Sequence, residues 1–120
     1  MLVNTDCTVY RYADGGYERV YIPAVFWRDS HGVRVASGGL ITVDEVLLYI
    51  PEEHAELAPR TPQKDILVRG SCPHTFDNTS ATSVSASLRE LNARYTAVTV
   101  TSVSDKRYGA ALRHIKVVAK

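Results

Sequence analysis

The feature that most restricts how this chain can fold is the period of its apolar residues, which is two along most of the sequence and closer to four in one segment. Cys7-Thr8-Val9-Tyr10-Arg11-Tyr12 places Cys7 and Val9 on one face, with Arg11 next in line, and Thr8, Tyr10 and Tyr12 on the other. Ala13-Asp14-Gly15-Gly16 supplies residues that tolerate positive φ, and Tyr17 to Trp27 resumes a run of Val, Ile and aromatics, so the two segments read as a β-hairpin. Pro23 lies inside the second arm, where a missing N–H demands an edge or a bend. The pattern predicts a turn at Asp29-Ser30-His31-Gly32, a short Val33-Arg34-Val35 segment, and a break or bulge at Gly38-Gly39. Asp44 to Ile50 reads as a buried strand stopped by Pro51.

Pro51 to Asp65 has no sustained period and is punctuated by prolines and charges, which predicts a long loop projecting from the domain. Ile66-Leu67-Val68-Arg69 is a short core strand closed by Gly70, followed by a connector rich in Ser, Thr and Asn. The period then changes: Val84, Leu88, Leu91 and Tyr95 recur at helical offsets, predicting one short helix over about residues 82–94 with Ser80 or Thr82 as its N-cap. Ala97 to Val103 alternates again, turns at Asp105-Lys106-Arg107-Tyr108-Gly109, and returns through Leu112 to Val118 as a second hairpin. Strands ordered in this way around one helix predict a single, mainly β domain, a small and partly closed β-barrel with long loops.

Composition matters where partners are concerned. Fourteen Lys and Arg against thirteen Asp and Glu leave a formal charge of +1, so no basic surplus drives sequence-independent binding to DNA. The start of the chain has neither the basic nor the apolar region of a signal peptide, and no stretch is long enough to span a bilayer, which predicts assembly in a cytoplasm. Cys7 and Cys72 stand apart, without the close second cysteine of a zinc ribbon or a redox pair. Cys72-Pro73-His74 and His114 offer metal-ligand chemistry but lack a second well-spaced pair, and the consecutive Glu52 and Glu53 point apart. No phosphate-binding glycine pattern and no nucleophile elbow occurs. The sequence therefore predicts no enzyme, metal or cofactor. Tyr10, Tyr12, Tyr17 and Tyr21 lie on two arms of one hairpin, where cross-strand pairing accounts for them without a stacked sugar or base.

Several segments together resemble a family of short phage and prophage proteins of Gram-positive bacteria, a domain of unknown function. They are Thr8-Val9-Tyr10, Val25-Phe26-Trp27 with Asp29 and Gly32, Ser37-Gly38-Gly39-Leu40 leading into Asp44-Glu45-Val46, Ile50-Pro51, Asp65 to Gly70, and Val103 with Arg107-Tyr108-Gly109 and His114. Family members usually carry an aromatic where this chain has Ile115. In size and layout such proteins are similar to head-completion components of tailed phages: adaptor, stopper and tail-completion proteins. The resemblance implies a stopper-type connector in the virion, a hexameric or dodecameric homo-oligomeric ring at the head–tail junction. Portal or adaptor would lie above it, tail proteins below, and packaged DNA would touch it without sequence preference. A minor capsid, decoration or tail component is the alternative.

The interface candidates on this reading are Trp27, Glu52, Glu53, His54, Arg60, Lys64, Arg107, Tyr108 and His114. Trp27 is expected to anchor the core or a subunit interface, and the loop carrying Glu52 to Lys64 to touch a neighbour or the DNA channel. Arg107 and Tyr108 have no backbone reason to occupy a turn, and both residue types are enriched at interface hot spots. Their joint replacement by Ser is expected to preserve the fold and weaken assembly by about 2 kcal/mol. Circular dichroism with sedimentation of the purified variant checks both halves of that expectation.

Overall fold

In the computed structural model the described residues are 3–36, 38–106 and 113–120, with side chains described for all of these except 30–36 and 39–43. Six strands form a closed antiparallel barrel: β1 (Thr5–Ala13), β2 (Gly16–Ala36), β3 (Gly39–Pro51), β4 (Ile66–Arg69), β5 (Ala97–Asp105) and β6 (His114–Ala119). Their order around the wall is β1-β2-β3-β6-β5-β4. The barrel is thus fully closed, a step beyond the partial closure read from the sequence. One α-helix, α1 (Ala81–Arg94), lies outside it, and a 3-10 helix, Glu52–Leu57, follows β3.

Side-chain alternation sorts the barrel into two cores. Val9, Ile22, Val25, Leu48, Ile50, Leu67, Val100 and Val117 fill the interior with Cys7 and Trp27. Burial there pushes the Cys7 thiol up to about 12, so it remains protonated and inert in the folded state. The opposite face of β1 and β4 contributes Tyr10, Ile66 and Val68 to a second cluster, closed over by Leu91 of α1 with Leu88, Tyr95 and Phe76 packed beside it. The expected face of α1 is therefore its packed face at Leu88, Leu91 and Tyr95. Ser80 provides the N-cap: its hydroxyl accepts from the Ser83 N–H at 3.1 Å, and the Ser83 hydroxyl accepts from the Ser80 N–H at 2.9 Å.

The first hairpin forms in the expected register, with Tyr12 opposite Tyr17 and Ala13 opposite Gly16. Asp14 and Gly15 turn at φ of 51° and 80°, the left-handed conformation that this chain reversal requires. Pro23 lies in a bulge, because the register shifts between Thr5↔Val25 and Cys7↔Ile22. Tyr12 and Tyr17 pair edge to face at 5.4 Å between ring centres. Tyr10 turns instead to the connector, donating its hydroxyl to the His74 carbonyl at 2.6 Å. Asn78 fastens the connector to the same hairpin, its amide exchanging 3.0 Å hydrogen bonds with the Tyr17 N–H and C=O.

Two expectations are corrected by the structure. Asp29 to Gly32 is not a turn: β2 runs straight through it, pairing Asp29↔Val46, Ser30↔Glu45, His31↔Asp44 and Gly32↔Val43. Turn-forming residue types there are overridden by a ladder already established at Phe26↔Tyr49. Nor does Pro51 to Asp65 project as a free loop. The 3-10 helix packs on β2, β3 and β6, Ala58 is buried, and the segment closes one end of the barrel.

Asp65 fixes that closure. It is fully buried, and its carboxylate accepts three main-chain N–H groups, from Tyr12 at 2.7 Å, Arg60 at 2.6 Å and Thr61 at 2.9 Å. A carboxylate so surrounded satisfies donors that would otherwise be buried unpaired. Asp65→Ala is expected to cost about 3–5 kcal/mol, by orphaning these donors and freeing the lid. Urea unfolding followed by Trp27 fluorescence measures it, and a loss under about 1 kcal/mol would contradict the role assigned to this carboxylate.

Candidate interaction surface

The barrel has two differently built ends, and the residues selected from the sequence divide between them. At the lid end, Pro51 of β3 stands opposite His114 of β6, and Arg11 of β1 donates to the Glu56 carbonyl at 3.0 Å. Glu52 approaches Arg113 at 3.6 Å, Glu53 approaches His54 at 3.9 Å, and the Arg60 guanidinium donates to the Glu56 carbonyl at 3.4 Å. Lys64 places its ammonium 5.2 Å from the centre of the Tyr12 ring, while its carbonyl accepts from the Tyr17 hydroxyl at 3.0 Å. His114 packs edge to face on Tyr49, 5.3 Å between centres. Glu52 and Lys64 reach from the lid to the barrel, Glu53 and Arg60 make contacts within the lid, and all four remain exposed. Arg107 and Tyr108 lie outside the described residues.

At the other end the wall does not stop with the barrel. β1 leaves β2 at Val25, and β6 leaves β3 at Val46. β2 and β3 continue together through Ser30↔Glu45, His31↔Asp44, Gly32↔Val43, Val33↔Thr42, Arg34↔Ile41 and Val35↔Leu40 to Ala36↔Gly39. At about 3.3 Å per residue this two-stranded arm reaches roughly 20 Å beyond the barrel. The radius of gyration, 15.2 Å, exceeds the ~13.6 Å expected of a compact chain of this length, as a projecting arm requires. Reading Asp29 to Gly32 as a turn concealed the arm. The signal present was the pair of β-prone runs, Val33-Arg34-Val35 and Leu40-Ile41-Thr42-Val43, on either side of Gly38.

Trp27 stands where barrel becomes arm. Its ring is 6% exposed and belongs to the interior core, while its indole N–H reaches Asp29 at 3.4 Å. Its main chain is held by one side chain: the Asn4 carboxamide accepts from the Trp27 N–H at 2.8 Å and donates to the Trp27 carbonyl at 2.9 Å. Asn4 thereby acts as the last rung of the β1–β2 ladder. A recess of about 200 Å³ lies at the root of the arm, lined by Asp29, Asp44, Glu45, Val46, Val98 and Lys120. Among the described residues, no group of three His, Cys, Asp or Glu side chains is placed to hold a metal ion, and no helix is long and apolar enough to cross a membrane. His74 is engaged with the Ser87 carbonyl at 2.9 Å, and Cys72 is buried, its N–H donating to the Thr8 hydroxyl at 2.9 Å.

The architecture is that of a small, closed, six-stranded antiparallel β-barrel with one short helix, a lid at one end and a strand-pair arm at the other. The chain belongs to a family of unknown function, DUF6751, which matches residues 2–120. No curated protein and no solved structure matches it.

Trp27→Ala is expected to lose about 3–5 kcal/mol, because the ring fills the barrel where the arm departs. Thermal unfolding by circular dichroism checks this; an unchanged melting temperature would remove Trp27 from the core account.

Proposed function

We propose that this protein is a non-enzymatic structural subunit of a tailed-phage particle, acting as one copy in a ring at the head–tail junction, most like a stopper. The observation that carries the reading is the arm: seven residue pairs, from Ser30↔Glu45 to Ala36↔Gly39, stand beyond the barrel wall. A two-stranded ribbon is marginal alone in water, so a partner that covers it is the economical reason for its length. The segments that resemble short phage proteins support the same reading, and several of them, Val25-Phe26-Trp27 with Asp29 and Gly32, Gly38-Gly39-Leu40 and Asp44-Glu45-Val46, fall on the arm or its root. The barrel itself suits a static building block. Its interior is packed with aliphatic side chains, leaving the two ends and the outer wall for contacts with neighbours above and below.

In this role the lid end and the arm end face different partners, the portal or adaptor on one side and the tail on the other. Packaged DNA would meet the ring through main-chain and scattered polar groups, in keeping with a net charge of +1. Particles produced without this gene and viewed by electron microscopy test the assignment. The expected outcome is heads that fill and then leak DNA, beside unattached tails. Intact infectious particles would overturn it, and complete particles lacking only a surface protein would indicate a decoration role.

A further inference from the structure

We propose that the arm is a strand-addition site for a second copy of this chain, the β3 edge of one arm taking the β2 edge of the next. The proposal rests on reading the chain as a self-assembling subunit, and it names the contact.

The direction of the main-chain groups follows from the barrel. Trp27 turns its N–H and C=O toward the β1 side, where Asn4 receives them. Successive residues of an antiparallel strand bond to opposite sides, so Asp29, His31, Val33 and Val35 aim their main-chain groups to the side β1 has vacated. On β3 the alternation is fixed through β6. Lys120 exchanges 3.0 Å hydrogen bonds with Thr99 on the β5 side, so Ala119 bonds toward β3, where its partner is Val46. Four and six residues further out, Thr42 and Leu40 lie at positions that aim to that same side. Beyond Val25 and Val46, no strand among the described residues runs beside either edge.

Soluble proteins blunt such edges with lysine, proline or bulges. Here Gly39-Leu40-Ile41-Thr42-Val43 has no charge and no proline, is rich in β-formers, and pairs with β2 in unbroken register. The occupant is indicated by charge. The β2 side of the arm, Ser30 to Ala36, carries Arg34 and no acid, whereas the β3 side, Gly39 to Glu45, carries Asp44 and Glu45 and no base. A β3 edge therefore meets a β2 edge with complementary charge, while two β2 or two β3 edges bring like charges together. Because the two edges of one arm differ, the contact is head to tail, and its repetition about an axis closes a ring in which no arm edge is left over.

Thr42→Pro isolates the contact. Thr42 bonds outward and not to β2, so proline there removes an outward donor and leaves the ladder inside the arm. Sedimentation from low micromolar to near millimolar concentration should show the wild-type chain self-associating, and the variant at least tenfold weaker with an unchanged melting curve. Hydrogen exchange on the wild type is the companion measurement and needs no variant to fold. The amides of Val33, Val35, Leu40 and Thr42 should be protected in the assembled state and exchange freely on dilution. A wild type that stays monomeric throughout would overturn the proposal. So would assembly that Thr42→Pro does not weaken and that leaves those four amides unprotected, an outcome that discards the arm contact while keeping self-assembly. Normal particles made without the gene would remove the phage role and leave the edge contact standing.

Discussion

The fold depends on one buried carboxylate. A closed six-stranded wall needs its shortest strand, β4, to pair on both sides, with β1 and with β5. Four residues make too short a ladder to hold that position by backbone pairing alone. Asp65, at the threshold of β4, adds what the strand lacks. Its side chain grips the end of β1 through Tyr12 and the lid through Arg60 and Thr61, while its carbonyl accepts from the Val100 N–H of β5 at 2.8 Å. One residue thus joins the two strands that flank β4 and the segment that covers them. At the far end of β4, Gly70 takes a φ of 84°, and the buried Thr8 hydroxyl donates to its carbonyl at 2.9 Å, so the strand is pinned at both limits.

The barrel was legible in the sequence wherever period alone decided the outcome. Cys7 to Tyr12 alternates, and so do its partners; Asp14-Gly15 states its turn; Leu88, Leu91 and Tyr95 mark the packed face of α1. The sequence was misleading where local chemistry and tertiary pairing disagree. Asp29-Ser30-His31-Gly32 has the residue types of a turn, yet each lies opposite a β3 residue in a continuous ladder. Pro51 to Asp65 has the composition of a projecting loop, yet it folds down because Asp65 collects its N–H groups. A carboxylate's partners are main-chain donors that carry no signature in the sequence, so no pattern of residue types announces them.

The candidate surface was less legible than the fold. Trp27 was expected to anchor the core or a subunit interface, and it is buried in the interior core. Glu52, Glu53, His54, Arg60 and Lys64 were singled out as partner contacts because they are charged and close in sequence. In the structure they share the lid: Glu52 lies near Arg113, Glu53 near His54, Arg60 against the Glu56 carbonyl and Lys64 over Tyr12, with Glu52, Glu53, Arg60 and Lys64 exposed. The arm, which carries the functional proposal, is made of ordinary β-forming residues and is distinguished by having, among the described residues, no further strand beside it. Absence of a neighbouring strand is a property of topology, visible once β1 and β6 are seen to end early.

Asn4 has a consequence for how this architecture can vary. Its carboxamide reproduces, in a single side chain, the donor and acceptor that another strand residue would have offered to Trp27. The barrel's hydrogen-bond pattern is therefore terminated at a fixed point, and whatever lies past it is uncoupled from the closed wall. Residues can be added to or taken from β2 and β3 in matched pairs without disturbing the register of any other strand. The arm is in that sense a ruler whose length is set separately from the barrel, so that relatives with the same barrel could span gaps of different width.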